Sequence, residues 1–282
     1  MKFSMKLAIV ALAWLCSVAC AAPITQASYN FSPVNQYNLQ LTASFWNPII
    51  DYVSTKSGVH LNLKLGRTSA DTTSYVLAKE VDFAFTNHLF SPERVKLGWR
   101  VFGRRDAPPV RAQIVVPSHS PIASLSDLVG KDVAFPGPEA MIAYKAPYAH
   151  LLKEKIAVNI FFAGNQDGAF SQLYSGRVAA IGANSQLAEG YAKREGKSLR
   201  VLWSSQPFNE LALMVSPRVP EQQAQAVAAA FFNMDQDAHG REILQQVSKL
   251  VGLPSMTRFV PASDSDYQSY RDFYEVAPLL LR

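Results

Sequence analysis

The regular alternation of strand-like and helix-like segments is the feature that most constrains the fold of this chain. From Val59 to Leu65, apolar residues occupy every second position, which is the period of a half-buried strand. Just before it, residues 45–56 carry apolar side chains at the spacing of one helical face, and Gly58 follows as a helix-ending residue. Because the alternation continues to residue 215, it predicts an α/β protein with mostly parallel sheets covered by helices on both faces.

The same rhythm predicts the remaining elements. The predicted strands are 81–85, 113–116, 133–135, 158–162, 178–181, 199–203 and 211–215. The predicted helices are 68–79, 124–129, 139–155, 167–174 and 186–194, followed by three successive helices at 221–232, 238–250 and 266–274. The alternation is too long for one small sheet and no linker interrupts it, so we expect a chain that weaves between two lobes.

The N-terminal segment has the pattern of a secretory signal. Lys2 and Lys6 form a basic start, residues 7–15 are a short apolar run, and small residues lead to Ala21. The apolar run is shorter than the roughly 20 residues that a membrane-spanning helix needs. We therefore expect residues 1–21 to be removed and the mature chain to be periplasmic.

Both cysteines of the chain, Cys16 and Cys20, lie within this predicted signal. Cleavage after Ala21 would leave a mature chain without cysteine, which suits an oxidising compartment because no thiol can mispair. The alternative is a lipoprotein that is modified at Cys20. A lipoprotein signal normally carries a large aliphatic residue three positions before the cysteine, and Ser17 stands there.

Charge and motif content argue against nucleic-acid binding and catalysis. The formal net charge of +5 falls by the two signal lysines to +3, and the basic residues are scattered. The sequence has no nucleophile elbow, no zinc-protease motif and no glycine-rich phosphate loop. No two of the five histidines stand three to five positions apart, so no local metal pair is predicted. We expect a chain that is not an enzyme and holds neither a metal nor a cofactor.

Several segments resemble one family. Residues 122–135 (IASLSDLVGKDVAF) resemble the "sl-DL-GK-vaf" element of type 2 periplasmic binding proteins, and residues 79–85 resemble their "G-vDiaf" strand. Residues 162–169 and 174–181 resemble the "f-gsHdaa…l..G.vdag" passage of the phosphonate-binding branch. The likeness extends over roughly 45–244. The chain is thus similar to the phosphate-, phosphite- and phosphonate-binding branch of ABC transporter substrate-binding proteins.

The resemblance implies two lobes, each a sheet flanked by helices, joined by two crossing strands that act as a hinge. Residues 22–112 and 216–282 would form lobe 1, and residues 113–215 would form lobe 2. The crossings are expected near 112–116 and 211–215. The ligand would bind in the cleft, because α/β proteins bind small molecules between lobes and at the carboxyl ends of parallel strands.

The resemblance also implies a function. It predicts an extracytoplasmic, monomeric solute-binding protein that delivers a small oxyanion-bearing ligand of the phosphonate, phosphite or phosphate class to an ABC permease. The membrane would be contacted only through that partner. The alternative is a sensory module that presents its open and closed shapes to a membrane receptor kinase, because both uses need only a ligand-driven shift between two states.

The sequence departs from the family at two ligand-binding positions. The family's Ser-Thr-Ser-Gly run, which opens a helix and holds phosphonate oxygens, falls on residues 140–143, here Ala-Met-Ile-Ala. The family's histidine falls on Gln166, which can donate a hydrogen bond but carries no charge. Backbone N–H groups could still hold an anion at the helix start. The resemblance therefore supports the fold more strongly than it supports the identity of the ligand.

The candidate ligand-binding residues lie at the carboxyl ends of predicted strands or at the starts of predicted helices. They are Trp46, Arg67, Thr68, Ser69, Asn87, His88, Glu139, Tyr144, Asn165, Gln166, Asn184, Asn209 and Glu210. For several of them a structural role fits as well: residues 67–69 could be a helix cap, and Trp46 a core aromatic.

The charges near the expected cleft are mixed. Arg67, His88 and the helix N-termini favour an anion. Glu139, Asp167 and Glu210 place acids near the same cleft, which would repel a dianion. A carboxylate or sulfonate of modest charge, with an amine for Glu210, therefore fits this mixture of charges as well as phosphate does.

Overall fold

The computed structural model describes residues 28–282. The predicted signal peptide and both cysteines lie outside the described residues. Within residues 28–282 no helix is long and apolar enough to cross a membrane.

The described part of the chain contains eleven strands. In chain order they are β1 (Ser28–Pro33), β2 (His60–Leu63), β3 (Phe83–Thr86), β4 (Arg100–Arg105), β5 (Val110–Pro117), β6 (Asp132–Phe135), β7 (Asn159–Phe162), β8 (Ala180–Asn184), β9 (Leu199–Phe208), β10 (Ala212–Val215) and β11 (Phe259–Pro261).

The α-helices alternate with these strands and then follow them. They are α1 (Leu39–Ser57), α2 (Asp71–Leu77), α3 (Pro92–Val95), α4 (Ala146–Lys153), α5 (Gln166–Tyr174), α6 (Ser185–Glu195), α7 (Glu221–Phe232), α8 (Ala238–Leu250) and α9 (Gln268–Val276). Short 3₁₀ turns occupy Leu125–Leu128, Met234–Gln236, Asp264–Tyr267 and Leu279–Leu281, and one π-helical turn spans Met141–Lys145.

The strands form two sheets. The first has the order β11-β4-β10-β3-β1-β2, and the second has the order β7-β6-β8-β5-β9. In the first, β1 pairs in parallel with β2 and β3, while β10 runs antiparallel to β3 and β4. In the second, β6 pairs in parallel with β7 and β8, and β5 runs antiparallel to β8 and β9. The predicted α/β fold of two helix-flanked sheets is confirmed, but each sheet is mixed rather than mostly parallel.

The chain passes between the sheets twice, at residues 106–109 and at residues 209–211. The segment 112–116 that was expected to cross lies inside β5, which pairs with β8 and β9 in the second sheet. The segment 211–215 lies mostly in β10, which belongs to the first sheet. The connections thus precede the expected segments by a few residues. That they act as a hinge stays a prediction.

Helix α1 shows how the first lobe, the six-stranded sheet with its helices, is built. The side chain of Asn38 caps its start by accepting from the N–H of Leu41 at 2.9 Å, and Gly58, at a φ of 69°, ends it in the left-handed conformation. The helix is longer than predicted because the cap lies at Asn38. Its apolar face includes Trp46, which is 3% exposed and packs against Phe85 with ring centroids 5.0 Å apart. Trp46 is therefore a core residue of this lobe and does not line the pocket between the lobes.

The C-terminal segment contacts both lobes. Tyr270 and Tyr274 of α9 are fully buried in a core that also contains residues of β3 and β5. Ala277 and Leu281 belong to a core of the second lobe, the five-stranded sheet with its helices, together with Ile114. The sequence placed all the C-terminal helices in lobe 1, whereas the end of the chain packs across the boundary.

Candidate ligand-binding site

A pocket lies between the two lobes and has a free volume of about 40 Å³. The first lobe contributes residues that follow β1, β2 and β3: Val34, Asn35, Gln36, Ser69, Asn87 and His88. The second lobe contributes residues near the starts of its helices: Pro136, residues 140–143, Gln166, Asn184 and Leu187. Leu211, from the second connection, completes the wall. The side chains that line this pocket are apolar groups, amides, one hydroxyl and one imidazole.

Hydrogen bonds join the lobes around the pocket. The N–H of Ser69 donates to the carbonyl oxygen of Gly164 at 2.7 Å, and the N–H of Gln166 donates to the carbonyl oxygen of Gln36 at 3.2 Å. Each bond pairs a residue of one lobe with a residue of the other. The lobes are therefore in a closed arrangement.

Glu139 and Arg94 form an ion pair across the same boundary. Arg94 Nη2 donates to Glu139 Oε1 at 2.8 Å, and Arg94 Nη1 also donates to the carbonyl oxygen of His88 at 2.8 Å. Burial alone would raise the pKa of Glu139, but the hydrogen bonds and charge of Arg94 outweigh it and hold that pKa below its ordinary value. Glu139, a predicted ligand-binding residue, is thus bound to Arg94 and lies outside the pocket wall.

Glu210 and Arg105 form a second ion pair, which is almost completely buried. The two side chains are 1% and 2% exposed, and Arg105 Nε donates to Glu210 Oε2 at 2.7 Å. Arg105 Nη2 also donates to Gln186 Oε1 at 2.7 Å. The prediction that Glu210 is available to an amine is wrong, because its carboxylate already neutralises a buried guanidinium.

The third acid near the cleft is also paired. Asp167 accepts from Arg194 Nη2 at 2.7 Å, so each of the three predicted acids has an arginine partner. Lys145 is different, because it is 6% exposed and forms no ion pair with any residue of 28–282. Its Nζ lies 3.4 Å from the hydroxyl of Tyr274. Burial lowers the pKa of Lys145, and the charge of Glu139 opposes that change. Lys145 is therefore a buried amine outside the pocket wall that no carboxylate of residues 28–282 contacts directly.

The turn at residues 67–69 does not bind an anion from solution, because Asp71 fills it. The Asp71 carboxylate accepts from the N–H of Arg67 at 2.5 Å, from the N–H of Thr68 at 2.9 Å and from the Thr68 hydroxyl at 3.0 Å. Burial raises the pKa of Asp71, but these donors outweigh it and lower the pKa below its ordinary value. The side chain of Arg67 is exposed, so of this turn only Ser69 lines the pocket.

His88 lines the pocket as a neutral imidazole. It is 1% exposed, and its Nδ1 lies 2.9 Å from the hydroxyl of Thr73. Burial lowers its pKa to about 3, with the positive charges of Arg94 and Lys145 acting in the same direction against Glu139. The expectation that His88 attracts an anion by its charge is therefore wrong, although its ring can still donate or accept a hydrogen bond.

Gln166 and Asn184 hold the second-lobe wall together. Gln166 Nε2 donates to the carbonyl oxygen of Gly182 at 3.1 Å, and Gln166 Oε1 accepts from the N–H of Asn184 at 3.4 Å. The side chain of Asn184 caps α6 by accepting from the N–H of Gln186 at 2.9 Å. Both predicted residues therefore line the pocket while fixing the ends of β8 and α6.

A helix N-terminus opens directly into the pocket at the position of the missing hydroxyl run. The π-helical turn Met141–Lys145 continues into α4, and all of residues 140–143 line the pocket. The first N–H groups of a helix have no acceptor within it. Those of Met141, Ile142 and Ala143 also make no backbone bond to any other described residue. Three residues of the pocket wall thus carry backbone N–H groups without a described backbone acceptor.

The local sequence explains the wide first turn of this helix. The N–H of Ala146 bonds to the carbonyl oxygen of Met141, five residues back, and Pro147 has no N–H to offer Ala143. The carbonyl oxygen of Ala143 instead packs against Gly182, where a Cβ atom would come within 2.1 Å of it. Glycine at 182 therefore allows this helix to approach β8 closely.

Three other predicted residues have structural roles outside the pocket. Tyr144 packs in the second-lobe core against Phe135, with ring centroids 5.0 Å apart. Asn165 caps α5 by accepting from the N–H of Gly168 at 2.8 Å. Asn209 donates from Nδ2 to the carbonyl oxygen of Asp266 at 2.6 Å, which ties the second connection to the segment before α9. Asn87 lines the pocket and lies 3.4 Å from the hydroxyl of Tyr270.

The sequence reasoning missed the residues that follow β1. Val34, Asn35 and Gln36 all line the pocket, directly after the carboxyl end of β1. The signal was present, because polar residues after a parallel strand point to the cleft. The Oδ1 atom of Asn35 and the Oγ atom of Ser69 are both buried, and neither has a hydrogen-bond partner within residues 28–282.

Two α/β lobes, two connections and a pocket enclosed between the lobes define a class of protein. That architecture is the type 2 periplasmic binding protein fold. Residues 31–267 match the family model described as ABC transporter, phosphonate, periplasmic substrate-binding protein. The match covers most of the chain, so the chain belongs to this family of extracytoplasmic substrate-binding components of ABC transporters.

Solved structures share the fold at low sequence identity. A binding protein component of an ABC phosphonate transporter from Pseudomonas aeruginosa has a TM-score of 0.75 and 17% identity, over 87% of this chain and 85% of that one. A Prochlorococcus marinus protein in complex with methylphosphonate has a TM-score of 0.75 and 14% identity, over 89% of this chain and 98% of that one. A Xanthomonas citri protein bound to ATP has a TM-score of 0.66 and 13% identity, over 88% and 96%. No curated protein matches the sequence.

Proposed function

We propose that this substrate-binding protein binds a small oxyanion of the phosphonate, phosphite or phosphate class and delivers it to an ABC permease. The observation that carries the proposal is the helix N-terminus in the pocket wall. There the N–H groups of Met141, Ile142 and Ala143 have no backbone acceptor within residues 28–282, and the dipole of a helix favours negative charge at this end.

The electrostatics of the surroundings support an anion. The three acids of the cleft are each neutralised by an arginine, so they do not repel a negative ligand. Lys145 belongs to the same helix whose first residues line the pocket, and no carboxylate in the described part of the chain forms an ion pair with it. An oxyanion held by the N–H groups would therefore balance a buried cation that is otherwise uncompensated.

The size and surface of the pocket support a small ligand with a short apolar part. A free volume of about 40 Å³ excludes bulky solutes from the closed form. Val34, Ile142 and Leu187 offer apolar contacts beside the N–H donors. Methylphosphonate and phosphite combine these features, because each carries an oxyanion on a compact, weakly polar centre.

Calorimetry tests this proposal with phosphate, phosphite, methylphosphonate and 2-aminoethylphosphonate. We expect at least one of them to bind with a Kd in the micromolar range, about −8 kcal/mol. Lys145→Met should weaken that binding about tenfold or more, because it removes the uncompensated charge. Lys153→Met is the matched control, since Lys153 is an exposed lysine at the far end of the same helix. Failure of all four to bind, together with tight binding of a neutral or cationic solute, refutes the proposal.

We further propose that the protein is exported by cleavage of residues 1–21, works as a monomer and serves a permease rather than a receptor kinase. The N-terminal signal pattern supports export. Family membership supports the permease partner. Light scattering of the purified protein tests the monomeric state. Loss of uptake of the bound solute on deletion of the gene tests transport, and an unchanged uptake would favour sensing.

A further inference from the structure

We propose that the pocket accepts its oxyanion in the singly protonated form, with the ligand's O–H group donating to Oδ1 of Asn35. This inference rests on the proposed function and adds the protonation state of the ligand and the residue that selects it. It comes from two independent features of the pocket: an acceptor atom without a donor, and a charge balance that fits one negative charge.

The orientation of the Asn35 side chain follows from its neighbours. Asn35 is 1% exposed, and its Nδ2 donates to the carbonyl oxygen of Gly66. A carbonyl oxygen can only accept, so the amide nitrogen must be the atom that faces Gly66. The amide oxygen is thereby assigned to the other position, where no described residue donates to it.

A buried amide oxygen without a donor selects the kind of ligand atom that can lie against it. An unpaired buried acceptor is unfavourable, and an amide oxygen can be satisfied only by an N–H or O–H group. A fully deprotonated phosphonate, phosphate or sulfonate offers only acceptor oxygens, whose lone pairs would face those of Asn35. A singly protonated phosphonate offers one O–H group for Asn35 and keeps anionic oxygens for the N–H groups of residues 141–143.

The charges around the pocket lead to the same protonation state. The ion pairs Arg94–Glu139 and Arg105–Glu210 are each internally neutral. Lys145 supplies one positive charge, and the helix end adds a partial one. A monoanion is balanced by this arrangement, whereas a dianion would leave excess negative charge in a buried space.

Ser69 complements Asn35 because a hydroxyl can donate as well as accept. Its Oγ is buried without a partner, and it faces Gly137 of the other lobe, where a Cβ atom would come within 2.7 Å of the Oγ. We assign Ser69 as a donor to an anionic ligand oxygen. The first lobe then contributes one acceptor and one donor, which matches a ligand with one protonated and at least one charged oxygen.

Most titratable groups near the pocket whose pKa is shifted keep their charge over the pH range in which a phosphonate loses its second proton. Burial raises the pKa of Tyr37, in the same loop, to about 12. The pKa of His88 is lowered to about 3, and the pKa of Asp71 lies below its ordinary value, so both stay deprotonated. Lys145 is the group that could add its own pH dependence, because burial lowers its pKa.

The experiment compares methylphosphonate with methanesulfonate by calorimetry as the pH is raised from about 6 to about 9. Above the second pKa of methylphosphonate, binding must take up one proton, so its affinity should fall about tenfold for each pH unit. Methanesulfonate has the same shape and no proton to donate near neutral pH. It should bind at least about a hundredfold more weakly than methylphosphonate at the acidic end of the range.

Variants separate Asn35 from Lys145. Asn35→Leu removes the acceptor, so the preference for methylphosphonate over methanesulfonate should fall about tenfold or more. Lys145→Met should weaken the binding of methylphosphonate but keep the pH dependence of its affinity, because Asn35 still accepts the hydrogen bond from the ligand's O–H group. Asn62→Leu, at an exposed asparagine of β2, is the control and should change neither quantity. Thermal melts of each variant verify that it is folded.

Phosphorus NMR of the wild-type complex tests the proposal without any substitution. At a pH where free methylphosphonate is a dianion, the bound ligand should keep the chemical shift of the monoanion. A bound shift equal to that of the dianion overturns the inference, as does pH-independent affinity or equal binding of methanesulfonate. Absence of binding by every phosphorus oxyanion at every pH refutes the proposed function and this inference with it, whereas binding with a flat pH profile refutes the inference alone.

Discussion

Replacement of His88 tests whether this pocket-lining imidazole is neutral in the folded protein. The unfolded chain takes up a proton at His88 near its ordinary pKa of 6.5, whereas the folded chain holds that pKa at about 3. Below pH 6.5 the unfolded state therefore binds more protons than the folded state, and stability is lost as the pH falls. Below pH 6.5 the free energy of unfolding should drop by about 1.4 kcal/mol per pH unit. Almost no change is expected between pH 8 and pH 6.5, so the total loss between pH 8 and pH 5 is about 2 kcal/mol.

Urea unfolding at a series of pH values measures this effect. His88→Asn keeps a polar atom near the hydroxyl of Thr73 but cannot be protonated. As the pH falls from 8 to 5, the wild type should therefore lose about 2 kcal/mol more of its free energy of unfolding than His88→Asn loses. His60→Asn, at an exposed histidine of β2, is the control for a histidine-to-asparagine change outside the pocket. His150 is present in every one of these proteins, so its own lowered pKa cancels in the comparison.

A pH-independent difference would refute the reasoning. If wild type and His88→Asn lose stability in parallel from pH 8 to pH 5, then His88 takes up its proton equally well in the folded protein. The pocket would then contain an imidazolium at mildly acidic pH. The charge balance that favours a monoanion would be wrong in that range.

Three further predictions concern the buried pair Arg105–Glu210, the partly buried pair Arg94–Glu139 and the export signal. Glu210→Gln leaves the buried guanidinium of Arg105 without a carboxylate, so the free energy of unfolding in urea should fall by about 3–5 kcal/mol. Glu139→Gln breaks the cross-lobe pair with Arg94, so ligand affinity by calorimetry should fall about tenfold and the radius of gyration in solution should rise. The periplasmic protein should begin at Ala22, as measured by its intact mass.

Exposed pairs provide the controls for the charge predictions. Glu221→Gln, in the exposed pair with Arg100, should leave the melting temperature nearly unchanged. Glu93→Gln, in the exposed pair with Lys96, should leave ligand affinity unchanged. If Glu210→Gln and Glu139→Gln have no larger effects than these two controls, the roles assigned to the Arg105–Glu210 and Arg94–Glu139 pairs are wrong.

A diacylated Cys20 in the membrane fraction would contradict the cleavage site.

The periodicity of the sequence was enough to predict most of the fold. Most helices and strands of the second lobe follow the apolar pattern because they bury one face on its sheet, whereas β7 is exposed along its whole length. Strand β4 was not predicted, since Arg100–Arg105 is rich in arginine and glycine. Its last residue is buried only because Glu210 pairs with it from 105 positions away, and no local pattern shows such a partner.

The residues of the candidate site that directly follow predicted strands could be predicted from the sequence. Ser69, Asn87 and His88 were found in this way, because they follow the ends of strands in the first lobe. Asn35 was missed because β1, which it follows, was not assigned from the sequence. The pairing of acids with arginines was not predictable, since each pair joins residues from distant parts of the chain.

The pocket's ligand preference was harder to derive from residue types alone. Arg67 looked like an anion-binding residue, yet the Asp71 carboxylate occupies the N–H donors of its turn. Met141 and Ile142 looked like a loss of ligand contacts, yet their backbone N–H groups remain available. The sequence shows which side chains could bind a ligand. Which backbone N–H groups lack an acceptor depends on the fold and could not be predicted from the sequence.

The place of β10 between β3 and β4 determines when the chain can fold during its synthesis. The first sheet remains open in its middle until Ala212–Val215 has left the ribosome. The cores around Tyr274 and Leu281 remain incomplete until those residues are made. Because these contacts join distant parts of the chain, we expect the first lobe to complete its folding late. Shortening the C-terminus by the length of α9 should therefore leave an unfolded polypeptide rather than a smaller native protein.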